Sequence, residues 1–251
     1  EIIFLSSEKT AEKEVLVNTN FPSGKSYELK ETSRQVFNAY FPNKSCGENG
    51  QGIYTKIQHN DADFFLTDDR WWRSDDRTKD SINGAPSPDK RMLGPQQMEW
   101  LKDALLASNA VFKFIVMGSQ ALNDVSPYDK WTDFPIERQE LLDFIRFYKI
   151  NGVVFISGDR HHSEVIKMVR PGTYPLYDIT VSPLTSGTHK FDGPEANNSL
   201  RVFGLDQKNN YGRFTISGAR GTRTLKVDFL GTQGESLGSW QIGEADLKTP
   251  R

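Results

Sequence analysis

Three short runs of the chain are continuously apolar rather than alternating between apolar and polar residues. They cover residues 62–67, 111–117 and 152–157. A continuous apolar run of this length is typical of a β-strand that is covered on both faces. The pattern therefore predicts three central strands of a mostly parallel sheet.

Two segments with helical spacing separate these runs. In residues 94–106 a proline stands near the first turn, and the apolar face is formed by Met98, Leu101 and Leu105. In residues 135–148 the buried stripe is expected to be Leu141, Leu142, Ile145 and Tyr148. The order β-α-β-α-β predicts right-handed crossovers with the carboxyl ends of all three strands at one edge, which is where ligands bind.

The flanking segments complete the expected fold. Residues 29–40 predict a helix, followed by a strand near 53–57, and the inward positions of that helix are expected to be Leu29, Val36, Phe37 and Tyr40. Short segments rich in β-formers predict antiparallel strands at 164–169, 176–181, 214–217, 224–229 and 239–242. The fold class is therefore α/β (α+β), with a mostly parallel central sheet, flanking helices and antiparallel strands that follow.

Residues 187–198 are polar and punctuated by glycine and proline. This composition predicts a surface loop near the edge of the site. His189 lies in it, and we expect a loop residue there rather than a metal ligand.

Composition excludes several classes of protein. The chain has 251 residues, 36% of them hydrophobic and 25% charged, as in a soluble globular domain. Its net charge of −2 gives no indication of nucleic-acid or anionic-membrane binding. The single cysteine, Cys46, excludes an intramolecular disulfide, and no apolar run approaches the roughly 20 residues of a membrane span. Because the chain begins at Glu1 rather than methionine, removal of a signal peptide or a longer upstream region is compatible with it. The oligomeric state stays open.

A carboxylate and two imidazoles follow the third apolar run directly. Residues 158–162 read Gly-Asp-Arg-His-His. Residues two apart in extended backbone point the same way, so Asp159 and His161 are expected to converge while Arg160 and His162 face elsewhere. A carboxylate beside an imidazole suits iron, zinc or manganese. Asp159 and His161 are therefore candidate metal ligands, and a polar turn with a salt-bridged aspartate and surface histidines is the alternative.

The first two runs also end in polar clusters. Residues 68–73 read Asp-Asp-Arg-Trp-Trp-Arg, and residues 118–120 read Gly-Ser-Gln. If the strands are adjacent and parallel, these clusters meet in one crevice suited to metal and phosphate. Arg70 and Arg73 are candidate phosphate ligands through their planar guanidinium groups, unless they only neutralise acidic residues of their own loop. Gln120 either hydrogen-bonds a substrate oxygen or a metal-bound water, or is an ordinary strand-end amide.

Taken together, the motifs resemble one family. The matching pieces are FFLTDDRWWR (64–73), LGPQQMEWL (93–101), GSQ (118–120), FPIER (134–138), SGDRHH (157–162) and YDITVSPLT (177–185). In this order and spacing they resemble the alkaline phosphatase D (PhoD-like) family of metallophosphatases, a branch of the calcineurin-like phosphoesterases. The resemblance runs from about residue 26 to about residue 242.

The resemblance implies a phosphoester hydrolase with a sheet-sandwich fold and a cluster of metal ions, which in relatives are iron, calcium, zinc or manganese. It implies that Asp159 and His161 match the late metal-binding segment and that Arg70 lies near the phosphate. Metals would lower the pKa of a bound water for attack on phosphorus, while Arg70 and Arg160 would neutralise the transferred group. His162 would protonate the leaving oxygen or orient the hydroxide. A small-molecule phosphoester substrate and an extracytoplasmic location are implied as well.

One region departs from the family pattern. Residues 1–28 contain no Gly-Asp pair, no histidine and no aspartate, where family members carry several acidic ligands and an Asp-His segment. We therefore expect an atypical N-terminal segment at 1–28 and the carboxyl-terminal portion of a PhoD-like domain at 29–251. The chain is then either part of a longer enzyme or a shortened, non-catalytic relative that binds phosphate or a protein partner.

Overall fold

A seven-stranded mixed sheet lies between two helices and a second, four-stranded sheet. The computed structural model describes residues 2–4, 28–41, 43, 45–75 and 77–250. Its helices are α1 (Lys30–Tyr40), α2 (Gly94–Leu106) and α3 (Pro135–Phe147). Its strands are β1 (Ile2–Phe4), β2 (Thr55–His59), β3 (Ala62–Leu66), β4 (Ser81–Ile82), β5 (Ala85–Pro86), β6 (Phe112–Val116), β7 (Val153–Ser157), β8 (Ser163–Met168), β9 (Leu176–Thr180), β10 (Arg201–Leu205), β11 (Asn210–Ser217), β12 (Thr224–Gly231) and β13 (Ser236–Gly243).

The three predicted central strands are confirmed as β3, β6 and β7. The large sheet has the order β10-β8-β9-β7-β6-β3-β2, so these three are neighbours, and they pair in parallel. Leu66 pairs with Val116, and Val116 pairs with Ile156. Because the last residues of the strands are level, the loops that follow them leave the sheet side by side at one edge.

The two faces of this sheet pack against different layers. On one face α2 and α3 bury their apolar stripes, which are Met98, Leu101 and Leu105, and Leu141, Leu142 and Ile145. Tyr148, expected in the second stripe, follows the end of α3 and is about half exposed. On the other face Phe114 meets Phe214 of the four-stranded sheet β1-β11-β12-β13 edge-on, with ring centroids 6.1 Å apart. The expected sheet sandwich is present.

Helix α1 forms as predicted, but its expected inward face is wrong. None of its residues is buried, and Leu29, Val36 and Tyr40 are 52%, 52% and 79% exposed. The helix instead lies near the loop after β3, where the Lys30 ammonium is 4.7 Å from the ring centroid of Trp71. Helical spacing of apolar residues predicts burial only where a partner surface covers them, and within the described ranges none covers this stripe.

The carboxyl-terminal strands follow the prediction with two corrections. All five predicted segments are strands, but β9 is parallel to β7 and extends the central sheet instead of pairing only with antiparallel neighbours. The edge strand β10 was not predicted, because Arg201–Leu205 is short and only half-buried, with alternating exposure. Residues 5–27 lie outside the described residues, and with them most of the segment expected to be atypical. Of that segment the structure describes the backbone of β1, which pairs with β11.

No helix within the described ranges has both the length and the apolar character that crossing a bilayer requires.

Candidate active site at the carboxyl edge of the sheet

Asp68 shapes the loop that leaves β3. Its Oδ1 accepts hydrogen bonds from the backbone N–H groups of Arg70 and Trp71 at 3.0 and 2.9 Å, and its Oδ2 accepts one from Ile53 at 3.0 Å. Burial raises the pKa of Asp68, opposed by these three bonds. The carboxylate therefore folds the loop into a turn that places the next two side chains, Asp69 and Arg70, at the strand ends.

Asp69 lies where β3 and β6 end. A Cβ atom added to Gly118 would stand 2.8 Å from Asp69 Oδ2 and 3.0 Å from Oδ1, so the carboxylate rests directly on that glycine. Oδ2 is buried and has no hydrogen-bond partner. A buried carboxylate oxygen without a donor is costly, and a bound cation or substrate hydroxyl would satisfy it.

Arg70 connects the loop after β3 to the loop between β6 and α3. Its Nη1 donates to Asp129 Oδ2 at 3.2 Å, its Nε is 3.8 Å from Asp69 Oδ1, and its side chain is 46% exposed. Burial opposes the charged form, but the negative charges of Asp69, Asp129 and Asp159 outweigh burial and raise the pKa of Arg70. Arg70 thus contacts the loop between β6 and α3, and Asp159 of the loop after β7 is near enough for its charge to act on the guanidinium.

Arg73, expected as a phosphate ligand, is occupied by another residue. Its two terminal nitrogens donate to the two carboxylate oxygens of Asp129 at 2.6 and 2.7 Å, and the group lies over the ring of Phe134. The side chain is buried. Asp129 belongs to the loop between β6 and α3, so this ion pair joins two loops rather than acting within one. This geometry favours a positioning role for Arg73.

The loop after β7 alternates between outward and inward side chains. Asp159 and His161 have positive φ angles of 64° and 57° and are half-buried, whereas Arg160 and His162 are buried. The His161 ring lies 3.3 Å from the Ser186 hydroxyl. The two expected ligands are thus the more exposed residues of the loop, and the other two side chains are buried.

The inward side chains join a buried network of charges. Arg160 donates to Glu195, and its guanidinium lies 4.5 Å from the ring centroid of Tyr128. His162 Nε2 is 3.3 Å from Glu164 Oε1. Burial lowers the pKa of His162, with Glu164 opposing it. Burial alone would raise the pKa of Glu164, but hydrogen bonds from His162 and its other partners lower it to about 2.

Gln120 belongs to this network instead of the crevice. Its Nε2 donates to Glu164 Oε1 and to Thr180 Oγ1, both at 2.7 Å, and its Oε1 accepts from Asn123 at 3.0 Å. The side chain is fully buried. Both polar atoms of the side chain are thus engaged within the protein, and Glu164, one of its acceptors, also lies beside His162 of the loop after β7.

The sequence did not identify three acidic residues of this region: Asp129, Glu164 and Glu195. Glu164 had a usable signal, since it stands two residues after His162 at the start of β8. Asp129 and Glu195 lie in polar loops, and Glu195 is only 1% exposed although residues 187–198 were expected to form a surface loop. His189 of the same loop has Nε2 3.1 Å from Glu195 Oε2.

The side chains at the carboxyl edge of the sheet have the donor atoms that a metal ion needs, but too few of them lie together. Asp159 and His161 supply a carboxylate and an imidazole, and Asp69 adds an unsatisfied buried oxygen. Among the described residues, however, no group of three clustered ligand atoms includes any of these side chains. The described part of the chain therefore offers a portion of a ligand set, since protein metal sites usually have three or four protein ligands.

A separate pocket of about 320 Å³ lies at the opposite end of the sheet. It is lined by the starts of β6 and β7, including Val111, Lys113 and Gly152. Burial lowers the pKa of Lys113, whose ammonium donates to the carbonyl of Ala110 at 2.6 Å. That lysine anchors the local backbone, and the strand-end clusters are far from it along the strands.

Comparison with known proteins identifies the family of this chain. A model of the PhoD-like phosphatase family matches residues 9–232. Alkaline phosphatase D from Bacillus subtilis (strain 168) is 30% identical over 116 residues, which are 41% of this chain and 20% of the relative. The chain therefore spans about a fifth of that relative's length.

Two solved structures share the fold. A structure of PhoD matches with a TM-score of 0.65 and 21% identity, covering 90% of this chain and 50% of PhoD. A purple acid phosphatase, PPD1 from yellow lupin (Lupinus luteus) seeds, matches with a TM-score of 0.55 and 11% identity, covering 89% of this chain and 38% of the lupin protein. At these identities the likeness is one of fold.

Proposed function

The chain belongs to the PhoD-like phosphatase family, and from that premise we propose that it works in a metal-dependent phosphoester hydrolase acting on a small-molecule phosphoester. The observation that carries this proposal is the position of Arg70. The guanidinium is charged, half exposed and surrounded by Asp69, Asp129 and Asp159, which come from three different loops at the carboxyl edge of the sheet. A cation beside carboxylates is the combination that binds phosphate and metal together.

In this proposal Asp159 and His161 hold metal, with Asp69 as a further candidate ligand. Iron, calcium, zinc or manganese would suit a mixed oxygen and nitrogen set, and the proposal does not select among them. A bound metal ion would supply a nucleophile by lowering the pKa of a coordinated water and would polarise the phosphoryl oxygens.

The side chains of this chain have separate tasks. Arg70 contacts the phosphate and stabilises negative charge on the transferred group. Arg73 fixes Asp129 and so directs Arg70. Arg160, His162 and Gln120 hold the loop that carries Asp159 and His161. This is a positioning role for all three, because each is buried and engaged with Glu164 or Glu195.

An extracytoplasmic location, as in the family resemblance, is part of the same proposal and rests on that resemblance alone.

A second candidate function is phosphate or partner binding without hydrolysis. The observation that favours it is the small number of metal ligands at the edge, since no group of three among the described residues includes Asp159 or His161. Arg70 would still bind an anion in that case.

One experiment separates the two functions. The protein in its complete reading frame is purified, its metal content is measured, and hydrolysis of p-nitrophenyl phosphate and of bis(p-nitrophenyl) phosphate is assayed. We expect turnover that Asp159→Ala and His161→Ala abolish together with bound metal, while the exposed replacements Asp103→Ala and His59→Ala retain both. A folded, metal-loaded protein without turnover would leave the binding function. If Asp159→Ala and His161→Ala changed neither turnover nor metal content, their assignment as metal ligands would be refuted.

A further inference from the structure

A second group of ligand-type side chains lies on the inner side of the loop after β7. One ring nitrogen of His162, one of His189 and one carboxylate oxygen of Glu195 lie within 4.8 Å of one another. His162 and Glu195 are buried, and His189 is 22% exposed. Within the described ranges this is the single such group of three.

The hydrogen bonds of Glu164 determine which nitrogen of His162 carries the proton. Its Oε1 accepts from Gln120 and Asn123 at 2.7 and 3.0 Å, and its Oε2 accepts from Arg201 at 2.7 Å. A carboxylate that receives these donors is an acceptor, so His162 Nε2 donates to it. Nδ1 is then left with a bare lone pair.

That lone pair has no partner in the protein. His162 Nδ1 is buried without any hydrogen bond, in a side chain that is 0% exposed. A buried acceptor without a donor costs free energy, so a group that satisfies it is expected. An imidazole whose other nitrogen donates to a carboxylate is also the usual arrangement of a metal-bound histidine.

We propose that His162, His189 and Glu195 form a zinc site separate from the edge occupied by Asp159 and His161. Two imidazoles and one carboxylate are a ligand set that Zn²⁺ accepts, with the fourth position open to water. Ligand atoms around a tetrahedral zinc ion stand about 3.4 Å apart. Closing the present spread of 4.8 Å therefore needs a shift of roughly 1.4 Å, which the half-buried loop residue His189 can supply.

The charged side chains around the group balance one another before a metal binds. Glu164 and Glu195 contribute two negative charges, and Arg160 and Arg201 offset them through their bonds to Glu195 and Glu164. A simple His189–Glu195 ion pair would account for those two residues, but it leaves Nδ1 of His162 unsatisfied. A metal ion bound by His162 Nδ1 would account for all three.

Such a site would fasten the loop of residues 187–198 to the loop that presents His161. The backbone already joins them, because the His189 N–H donates to the His161 carbonyl at 2.7 Å. Zinc bound by His162 and His189 would therefore also restrain His161, which is a candidate ligand of the proposed metal site at the carboxyl edge of the sheet.

The test uses the full chain carrying Asp159→Ala and His161→Ala, so that the proposed edge ligands do not contribute. After chelation and dialysis, we expect this variant to bind one equivalent of Zn²⁺, measured by elemental analysis. Zinc at 100 times its dissociation constant should raise the melting temperature by about 5–10 °C. Adding His189→Ala to this chain should remove both the zinc binding and the rise in melting temperature. Adding Glu164→Gln to the same chain keeps the shape of the side chain but makes it a weaker acceptor for His162. This change should lower the affinity for Zn²⁺ about 10- to 100-fold.

His59→Ala is the matched control, because His59 is exposed and far along the chain from the group. It should change neither zinc content nor melting temperature. The proposal would be overturned if the chain carrying Asp159→Ala and His161→Ala bound no zinc. It would also be overturned if that chain bound zinc equally well with His189→Ala added and with His59→Ala added. Neither result depends on hydrolysis, so this site can fail while the proposed function stands, and the reverse holds as well.

Discussion

Asp129 holds the guanidinium of Arg73 with both carboxylate oxygens, at 2.6 and 2.7 Å. The same Oδ2 accepts a longer bond of 3.2 Å from Arg70. Because Arg73 is buried and Arg70 is half exposed, Arg73 fixes Asp129, and Asp129 limits where Arg70 points. The loop after β3 is thereby tied to the loop between β6 and α3.

Asp129→Ala is expected to destabilise the fold by about 3 kcal/mol, because it removes the two charge-assisted hydrogen bonds that the buried Arg73 guanidinium donates to Asp129. Urea denaturation measures the loss. Asp75→Ala is the matched control: it removes an ion pair to Arg77, whose side chain is 85% exposed, and should leave the unfolding free energy nearly unchanged. Equal losses in the two variants would contradict a structural role for the Asp129–Arg73 pair.

Gly118→Ala is expected to displace the Asp69 carboxylate, since the new Cβ would lie 2.8 Å from Oδ2. The protein should lose about 1–3 kcal/mol of stability and bind inorganic phosphate more weakly, because Arg70 moves with its neighbour. Calorimetric titration with phosphate and thermal unfolding measure the two effects. Gly187→Ala, with no atom within 4 Å of its added Cβ, should match the parent protein. A Gly118→Ala variant that behaves like Gly187→Ala would show that the contact is easily relieved.

The central strands and the helices α2 and α3 were predictable because their signals are local. A run such as residues 152–157 is apolar on both faces, and the positions of Met98 and Leu101 repeat with helical period. The register then follows from parallel pairing, so the meeting of the strand-end clusters could be inferred as well. Helix α1 has the same kind of local pattern, and its exposed face shows that periodicity does not supply a covering surface.

The partners within the site were not predictable from the sequence. Arg73 bonds Asp129, which is 56 positions away, and Arg160 bonds Glu195, which is 35 positions away. Both acidic residues lie in polar loops whose composition indicates exposure. Tertiary packing determines such pairings, and they cannot be inferred from the spacing of residues along the chain.

Arg70→Lys is expected to lower kcat/KM for a phosphoester about 100-fold while leaving metal content unchanged. Lysine keeps the positive charge but loses the planar pair of donors that fits phosphate oxygens. Steady-state kinetics with elemental analysis checks both parts. Arg77→Lys should leave kcat/KM unaltered, because the Arg77 side chain is 85% exposed and pairs with Asp75 of its own loop. If Arg70→Lys retained full activity, we would conclude that Arg70 does not contact the substrate.

Asp178 gives the protein a pH dependence of known sign. Its Oδ2 accepts from the N–H groups of Ala121 and Leu122 at 2.7 and 3.0 Å, and its Oδ1 accepts from Ser157 at 2.9 Å. Burial outweighs these bonds and raises the pKa of Asp178 to about 6. The folded state therefore binds this proton more tightly than the unfolded state, in which the pKa is near 3.9.

The stability contributed by Asp178 is thus fully present below about pH 4 and is lost as the pH rises through 6. A difference of about 2 pKa units corresponds to roughly 3 kcal/mol. Asp178→Asn keeps an acceptor oxygen for the backbone and does not titrate, so it is the reference. Relative to this variant, the parent protein should lose roughly 3 kcal/mol of unfolding free energy between pH 4 and pH 7, measured by urea denaturation at each pH. Parallel curves for the two proteins would mean that Asp178 is ionised in the folded state throughout, and that its three hydrogen bonds outweigh burial after all.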